Sequence, residues 1–202
     1  MRLWTSHHVF EHDWATVSKA AWRKYPNPIN TSVTGIDVVS RSVIPEPAPS
    51  GRGWQSVLKT HRIFRTEWFI PSWVTGLIGL ENPAYTHEYS EVKPAEQTMI
   101  LKTVNLNCRN FVNVEETLVY TPHPEDVDKT LLEQSTQVTV KGVPLISYME
   151  SLVVSTFKSN TEKGRQGMEW VLQNLRHEWD DLQQSGRHLF DLDAAAAATP
   201  CP

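Results

Sequence analysis

Apolar and polar residues alternate with a period of two through most of the first 140 positions, and then give way to a three-to-four-residue rhythm. The alternating regime predicts seven strands, at 2–10, 33–43, 54–64, 85–92, 99–106, 111–120 and 131–140, punctuated by Pro, Gly and Asn. Connections as short as 107–110 favour antiparallel neighbours. The Pro-rich run 44–51 reads as a long hairpin tip and 122–126 as an exposed loop. Between the first two strands a short helix is legible: Asp13 is placed to cap it, and Trp14, Val17, Ala21 and Lys24 recur on one face. Arg23 and Lys24 then form a cationic pair at its last turn. Pro26 and Pro28 end the helix, because neither has an N–H to donate and each biases the residue before it towards extended backbone.

From Pro144 onward, Leu145, Met149, Leu152, Thr156, Asn160, Lys163, Gly167, Val171 and Leu175 recur on one face of a long helix, with a kink expected near Gly164. Beyond about position 179 the signal fades into an alanine run, a low-complexity end expected to be disordered. The expected class is α+β: a curved seven-stranded antiparallel sheet wrapped around a long C-terminal helix, closing over a cavity. The expected organisation is one domain over 1–175, followed over 176–202 by a helix extension and the tail.

Composition narrows the function. A chain of 202 residues, 40% hydrophobic and 21% charged, suits one globular domain. A net charge of -4 provides no basic field for nucleic acid or an anionic surface, so anion recognition falls to a few placed cations. Cys108 and Cys201 make neither a disulfide framework nor a metal pair, and His7, His8 and His12 read as surface histidines rather than metal ligands. The N-terminus has no apolar signal core, and Glu11 and Asp13 do not suit a transit peptide, so no cleavable signal is expected. The longest apolar stretch, 68–80, is well short of the roughly twenty residues that span a bilayer. Asn30-Thr31-Ser32 matches a glycosylation sequon by chance.

No nucleophile elbow, zinc-binding helix motif or phosphate loop is present, and Gly51-Arg52-Gly53 lacks the third glycine of a dinucleotide fingerprint. Catalysis is therefore not expected. The rival reading takes His61 or His87 as an acid/base, although neither has a carboxylate to orient it. A second rival is an adaptor whose long helix binds a partner. More informative are polar residues where apolar ones belong. Arg62 shares strand parity with Trp54, Leu58 and Phe64, while Asn160 and Lys163 interrupt the helical stripe. With Lys24 they form a small set aimed inward. An unpaired buried cation costs several kcal/mol, so this set requires an anionic ligand or an internal partner, for which Glu116, in phase with Val112 and Val114, is available. A second anomaly is the crowd of Trp68, Phe69, Ile70, Trp73, Val74, Leu77 and Ile78, punctuated by Gly76 and Gly79. It reads as an apolar lid that covers the open end of the sheet or lies in a membrane interface.

The blocks Trp4-Thr5-Ser6-His7-His8-Val9-Phe10, Lys24-Tyr25-Pro26-Asn27-Pro28, Leu118-Val119-Tyr120-Thr121-Pro122-His123-Pro124 and Tyr148-Met149-Glu150-Ser151 resemble the PRELI/MSF1 family, in particular its slowmo branch. The resemblance runs from Met1 to about Leu175. It implies a seven-stranded sheet and helices around a phospholipid cavity, no catalysis and no cofactor, with shuttling of phospholipid across the mitochondrial intermembrane space. It also implies a heterodimer with a small helical partner carrying twin Cys-x9-Cys motifs. Lys24, Arg62, Asn160 and Lys163 stand at the family's headgroup positions, and the lid at 68–80. Members that handle phosphatidic acid carry Arg before Tyr-Pro-Asn-Pro and a histidine shortly after it; here these positions hold Lys24 and Ser32. That departure favours phosphatidylserine, with phosphatidic acid transfer feeding cardiolipin synthesis as the alternative.

Overall fold

In the computed structural model, residues 1–49, 51–67, 76, 83–107, 109–142 and 146–197 are described, positions 179–197 as backbone. The alternating segments form β1 (Arg2–Phe10), β2 (Val33–Pro47), β3 (Trp54–Thr66), β4 (Ala84–Lys93), β5 (Thr98–Asn105), β6 (Val112–His123) and β7 (Asp126–Val140). They make one antiparallel sheet in the order β1-β7-β6-β5-β4-β3-β2. Successive strands are neighbours from β2 to β7. The exception is β1, which pairs with β7 from Arg2↔Val138 to Phe10↔Thr130.

Among the described residues, the α-helices α1 (Trp14–Trp22) and α2 (Ile146–Ala197) complete the fold. Asp13 caps α1 as the sequence predicts, accepting from the Thr16 amide at 3.1 Å, and Trp14, Val17, Ser18, Ala20 and Ala21 are buried. The helix closes at Trp22, so Lys24 lies in the turn that follows rather than on the helical face. Helix α2 is continuous through Gly164 and reaches Ala197.

Strand ends differ from expectation where proline or polar runs blurred the alternation. Strand β2 continues through Pro45 to Pro47, opposite Ser56 and Trp54, because it is a sheet edge where a missing N–H costs no ladder bond. Strands β6 and β7 extend to His123 and back to Asp126, leaving a tight turn where a longer loop was expected.

Helix α2 rests on the sheet at two separate places. At one, Met168, Val171 and Leu172 pack with Phe10, Trp14, Val17, Met99, Leu101, Tyr120 and Leu132. At the other, Met149 and Val153 pack with Val112, Val114, Val138 and Val140. Met168 and Leu172 are each 1% exposed; truncating either to alanine is expected to cost about 2–5 kcal/mol. Between the two contacts the inward face of α2 carries Asn160, Thr161 and Gly164, and the sheet and helix enclose a hollow there.

Candidate ligand cavity

The hollow has a volume of about 490 Å³, within the roughly 300–1,000 Å³ of small-molecule sites. Its walls combine apolar side chains such as Phe10, Phe64, Leu101, Leu118 and Phe157 with an unusual number of ionisable ones. Lys24, Arg62, Asn160 and Lys163, singled out from the sequence, all line it. The lid residues Trp68, Phe69, Ile70, Trp73, Val74, Leu77 and Ile78 lie outside the described residues; Thr66 and Glu67, which precede them, are on the wall.

Lys24 reaches the hollow because the segment after α1 is folded tightly against α2. Asn27 holds that turn: its amide donates to the Lys24 carbonyl at 2.7 Å, and its Oδ1 accepts from the amides of Ile29 at 3.0 Å and Asn30 at 2.7 Å. Asn30 repeats the device, accepting from the Ser32 hydroxyl at 2.5 Å. Asn30 is buried, as expected if the sequon is fortuitous. Gly164 and Gly167 let the turn approach, since a Cβ on Gly164 would stand 3.1 Å from Lys24 Nζ and one on Gly167 would stand 2.9 Å from the Asn27 amide. Lys24 Nζ lies 5.3 Å from the Tyr25 ring centroid. Burial alone would lower the Lys24 pKa, but Tyr25, Tyr120 and Glu116 outweigh it and hold the ammonium above its usual range. Lys24 therefore keeps its charge inside the protein.

Arg62 has a different setting. On the register of β3 and β4 it stands opposite Glu88, and its Nε and Nη2 reach Glu88 Oε1 at 2.8 and 2.5 Å. Both side chains are buried, with the guanidinium 4.6 Å from the Trp22 ring and 5.1 Å from that of Phe64. Glu116, offered by parity as an internal partner for the inward set, does not meet Arg62: it accepts from Gln134 Nε2 at 2.7 Å and Thr136 Oγ1 at 3.3 Å and acts on Lys24 through its charge. Burial pushes the Glu116 carboxyl up, against the pull of Gln134, Lys24 and Thr136. Tyr120, buried nearby, is pushed up to about 12.

Asn160 faces the hollow from α2, whereas Lys163 is exposed at its margin, because the buried stripe runs through Gly164, Gly167, Met168 and Leu172 rather than through position 163. Sequence reasoning missed Glu88, whose partner is set by a register that the long segment between β3 and β4 conceals. It also missed Arg165, whose Nη2 donates to Ser6 Oγ at 2.8 Å while its buried Nε has no partner among the described residues. His61 and His87, the acid/base rivals, contact one another at 3.0 Å on the face of the sheet opposite Arg62 and Glu88, and neither lines the hollow.

Comparison with known proteins agrees with this architecture. TTHA0849 from Thermus thermophilus shares the fold with a TM-score of 0.57 at 13% identity, covering 86% of this chain and 99% of that one. A START superfamily protein from Mycobacterium smegmatis does so with a TM-score of 0.53 at 17% identity, covering 86% and 98%. In sequence, the chain is 32% identical over 195 residues to the Saccharomyces cerevisiae "Protein UPS2, mitochondrial", covering 95% of this chain and 79% of that protein. It is 30% identical over 177 residues to the Dictyostelium discoideum "Protein slowmo homolog", covering 88% and 74%. The profile of the PRELI-like family matches residues 15–178. By that match and by these relatives, the chain belongs to the PRELI-like family.

Proposed function

We propose that this protein is a phospholipid carrier. It withdraws one lipid from a mitochondrial membrane and shuttles it through the intermembrane space, with phosphatidylserine as its cargo. The observation that carries the reading is a hollow walled by apolar side chains into which Lys24 projects a retained positive charge, with Arg62 lining it from the sheet and Asn160 and Lys163 from α2. Such a combination suits acyl chains joined to an anionic headgroup. Arg165, with its unpartnered Nε, is a further donor for the phosphate. Ser32 lines the hollow with its hydroxyl turned to Asn30, at the position where phosphatidic-acid-handling members resembling this chain carry histidine.

The energetic case is simple. Drawing a diacyl phospholipid through water exposes about thirty methylenes at roughly 0.8 kcal/mol each, or about 24 kcal/mol. That barrier corresponds to desorption at about 10⁻⁵ per second. Apolar walls substituted for acyl neighbours remove most of it without any bond-making chemistry, so the protein acts as a carrier and not as an enzyme. The lid segment, with Trp68 and Trp73, opens at the membrane, and a small helical twin Cys-x9-Cys protein keeps the carrier soluble as a heterodimer.

Mass spectrometry of lipid co-purifying with the protein tests the reading. A stoichiometric phospholipid is expected; an empty protein favours an adaptor, and turnover of lipid to product favours an enzyme. Transfer between vesicles whose donors carry one headgroup each then separates phosphatidylserine from phosphatidic acid.

A further inference from the structure

The antiparallel register brings seven strand termini to one end of the sheet: the starts of β1, β2, β4 and β6 and the ends of β3, β5 and β7. Large apolar side chains are exposed at this end, on segments outside the lid. Leu106 and Phe111 flank the β5–β6 connection at 45% and 37% exposure, and Ile146 opens α2 at 44%. Hydrogen bonds fix these segments in place: the Leu106 amide donates to the Tyr85 carbonyl at 2.8 Å, and the Lys141 amide to the Phe111 carbonyl at 2.8 Å. The Phe111 ring lies 3.7 Å from where a Cβ on Gly142 would stand. Phe111 is therefore held outward by ordered backbone.

Cations accompany these apolar groups. Arg109 and Lys141 are exposed, and with Phe111, Asn113, Gln137 and Thr139 they line a shallow concavity of about 360 Å³. The Arg109 Nε donates to Asn113 Oδ1 at 3.3 Å, and the nearby Glu115 is engaged by the Asn113 amide at 2.8 Å. Glu150, in the first turns of α2, is occupied by the Met1 ammonium at 2.6 Å and by Arg2 at 3.8 Å, while Glu67, after the end of β3, lines the hollow. A local basic and apolar rim thus sits on a chain of net charge -4, at the same end as Thr66 and Glu67 on the wall of the hollow.

We propose that Leu106, Phe111 and Ile146, with Arg109 and Lys141, form a fixed docking rim for an anionic phospholipid membrane, separate from the lid. Exposed apolar side chains enter the headgroup layer while neighbouring cations pair with lipid phosphates. The sign of the charge argues for a bilayer carrying anionic lipid, and position argues for one that exchanges lipid with the hollow. The inference rests on the carrier reading for its purpose, but not for its test. A rim of this kind holds this end of the sheet against the bilayer by itself.

The test uses the full-length protein and phosphatidylcholine vesicles with and without an anionic phospholipid, read by flotation, with co-purifying lipid measured in parallel. Each cation at an anionic surface contributes about a five-fold gain in partitioning. The R109E/K141E variant is expected to lose at least about 25-fold in binding to anionic vesicles, and wild-type binding to weaken with added salt. The uncharged variant L106N/F111N is expected to lose binding to both vesicle types, and circular dichroism verifies that both variants fold. Unchanged flotation of the two folded variants overturns the rim, as does loss of a protein partner with vesicle binding intact. Lipid content distinguishes this result from failure of the carrier reading: rim variants that still co-purify with phospholipid but do not float support both, and a wild type that floats but contains no lipid leaves the rim standing without the carrier.

Discussion

Lys24 meets α2 at Gly164, where its Nζ lies 3.1 Å from the place a Cβ would take, and one turn further on Asn27 meets Gly167 at 2.9 Å. The two contacts look alike but give way differently. Lys24 presents the end of a flexible side chain, whereas Asn27 presents an amide held by three hydrogen bonds. Alanine favours a helix interior over glycine by about 1 kcal/mol. Gly164→Ala is therefore expected to be neutral or stabilising, and Gly167→Ala to be destabilising by about 1–2 kcal/mol after that gain, as hydrogen bonds of Asn27 are lost. Urea denaturation of the two variants checks the contrast. Equal effects would show that the turn yields as readily as the lysine.

The pairing of Arg62 with Glu88 changes what a substitution there reports. Read from the sequence, Arg62→Glu removes a headgroup contact; in the structure it sets two carboxylates face to face in a buried site. Removing one partner of a buried ion pair costs about 3–5 kcal/mol, while replacing both with apolar residues is close to neutral. Arg62→Met and Glu88→Leu are each expected to destabilise strongly and the double variant to recover most of the loss. A double-mutant cycle on unfolding free energy measures this, and additive losses would refute it.

Glu116 supplies a pH signature. Its carboxyl is raised, chiefly by burial, from an ordinary value of 4.5, so the folded state holds this proton more tightly than the unfolded chain does. The stability from this group is complete below the ordinary value and is lost as pH rises through the folded one. Glu116→Gln mimics the protonated form. It is expected to be more stable than the parent at neutral pH and to lose that advantage in acid, as thermal unfolding across the pH range will show. A parent that is as stable as the variant at neutral pH would contradict the assignment.

Lys24 and Lys163 differ in setting and should differ in effect. A charge-assisted hydrogen bond in a confined site contributes about 1.5–3 kcal/mol, so Lys24→Gln is expected to slow transfer of an anionic phospholipid about ten- to a hundred-fold. Lys163→Gln, at the exposed margin, should cost several-fold less. Vesicle-to-vesicle transfer rates decide this, and the reverse ranking would place the phosphate at the margin of the hollow instead of beneath α1.

The seven strands and both helices were legible because period-two and helical patterns persist wherever one face is buried. Legibility failed where a pattern depended on a neighbour. Pro45 and Pro47 ended β2 on paper, yet an edge strand accommodates them. Asp126, Val127, Asp128 and Lys129 are too polar to read as a strand but continue β7 across an irregularity in the ladder, where Asp126 stands opposite His123 and Thr130 opposite Pro122. Within the cavity, Lys24, Arg62 and Asn160 were visible as polar intrusions. Glu88 was not, because only the cross-strand register reveals that it faces Arg62. Position 163 was drawn into the helical stripe by spacing alone, whereas the close approach at Gly164 and Gly167 rotates the contact line by about one residue.

The place of β1 beside β7 sets the order in which the molecule can be finished. Ser6 and Gln134, bonded at 3.2 Å, stand 128 positions apart in sequence. While the chain emerges from the ribosome, the first strand has no ladder partner until nearly the whole domain has followed it. Such late, non-local closure belongs to topologies that fold in milliseconds to seconds rather than microseconds. The protein is therefore built to stay incomplete, and pliable, for most of its own synthesis.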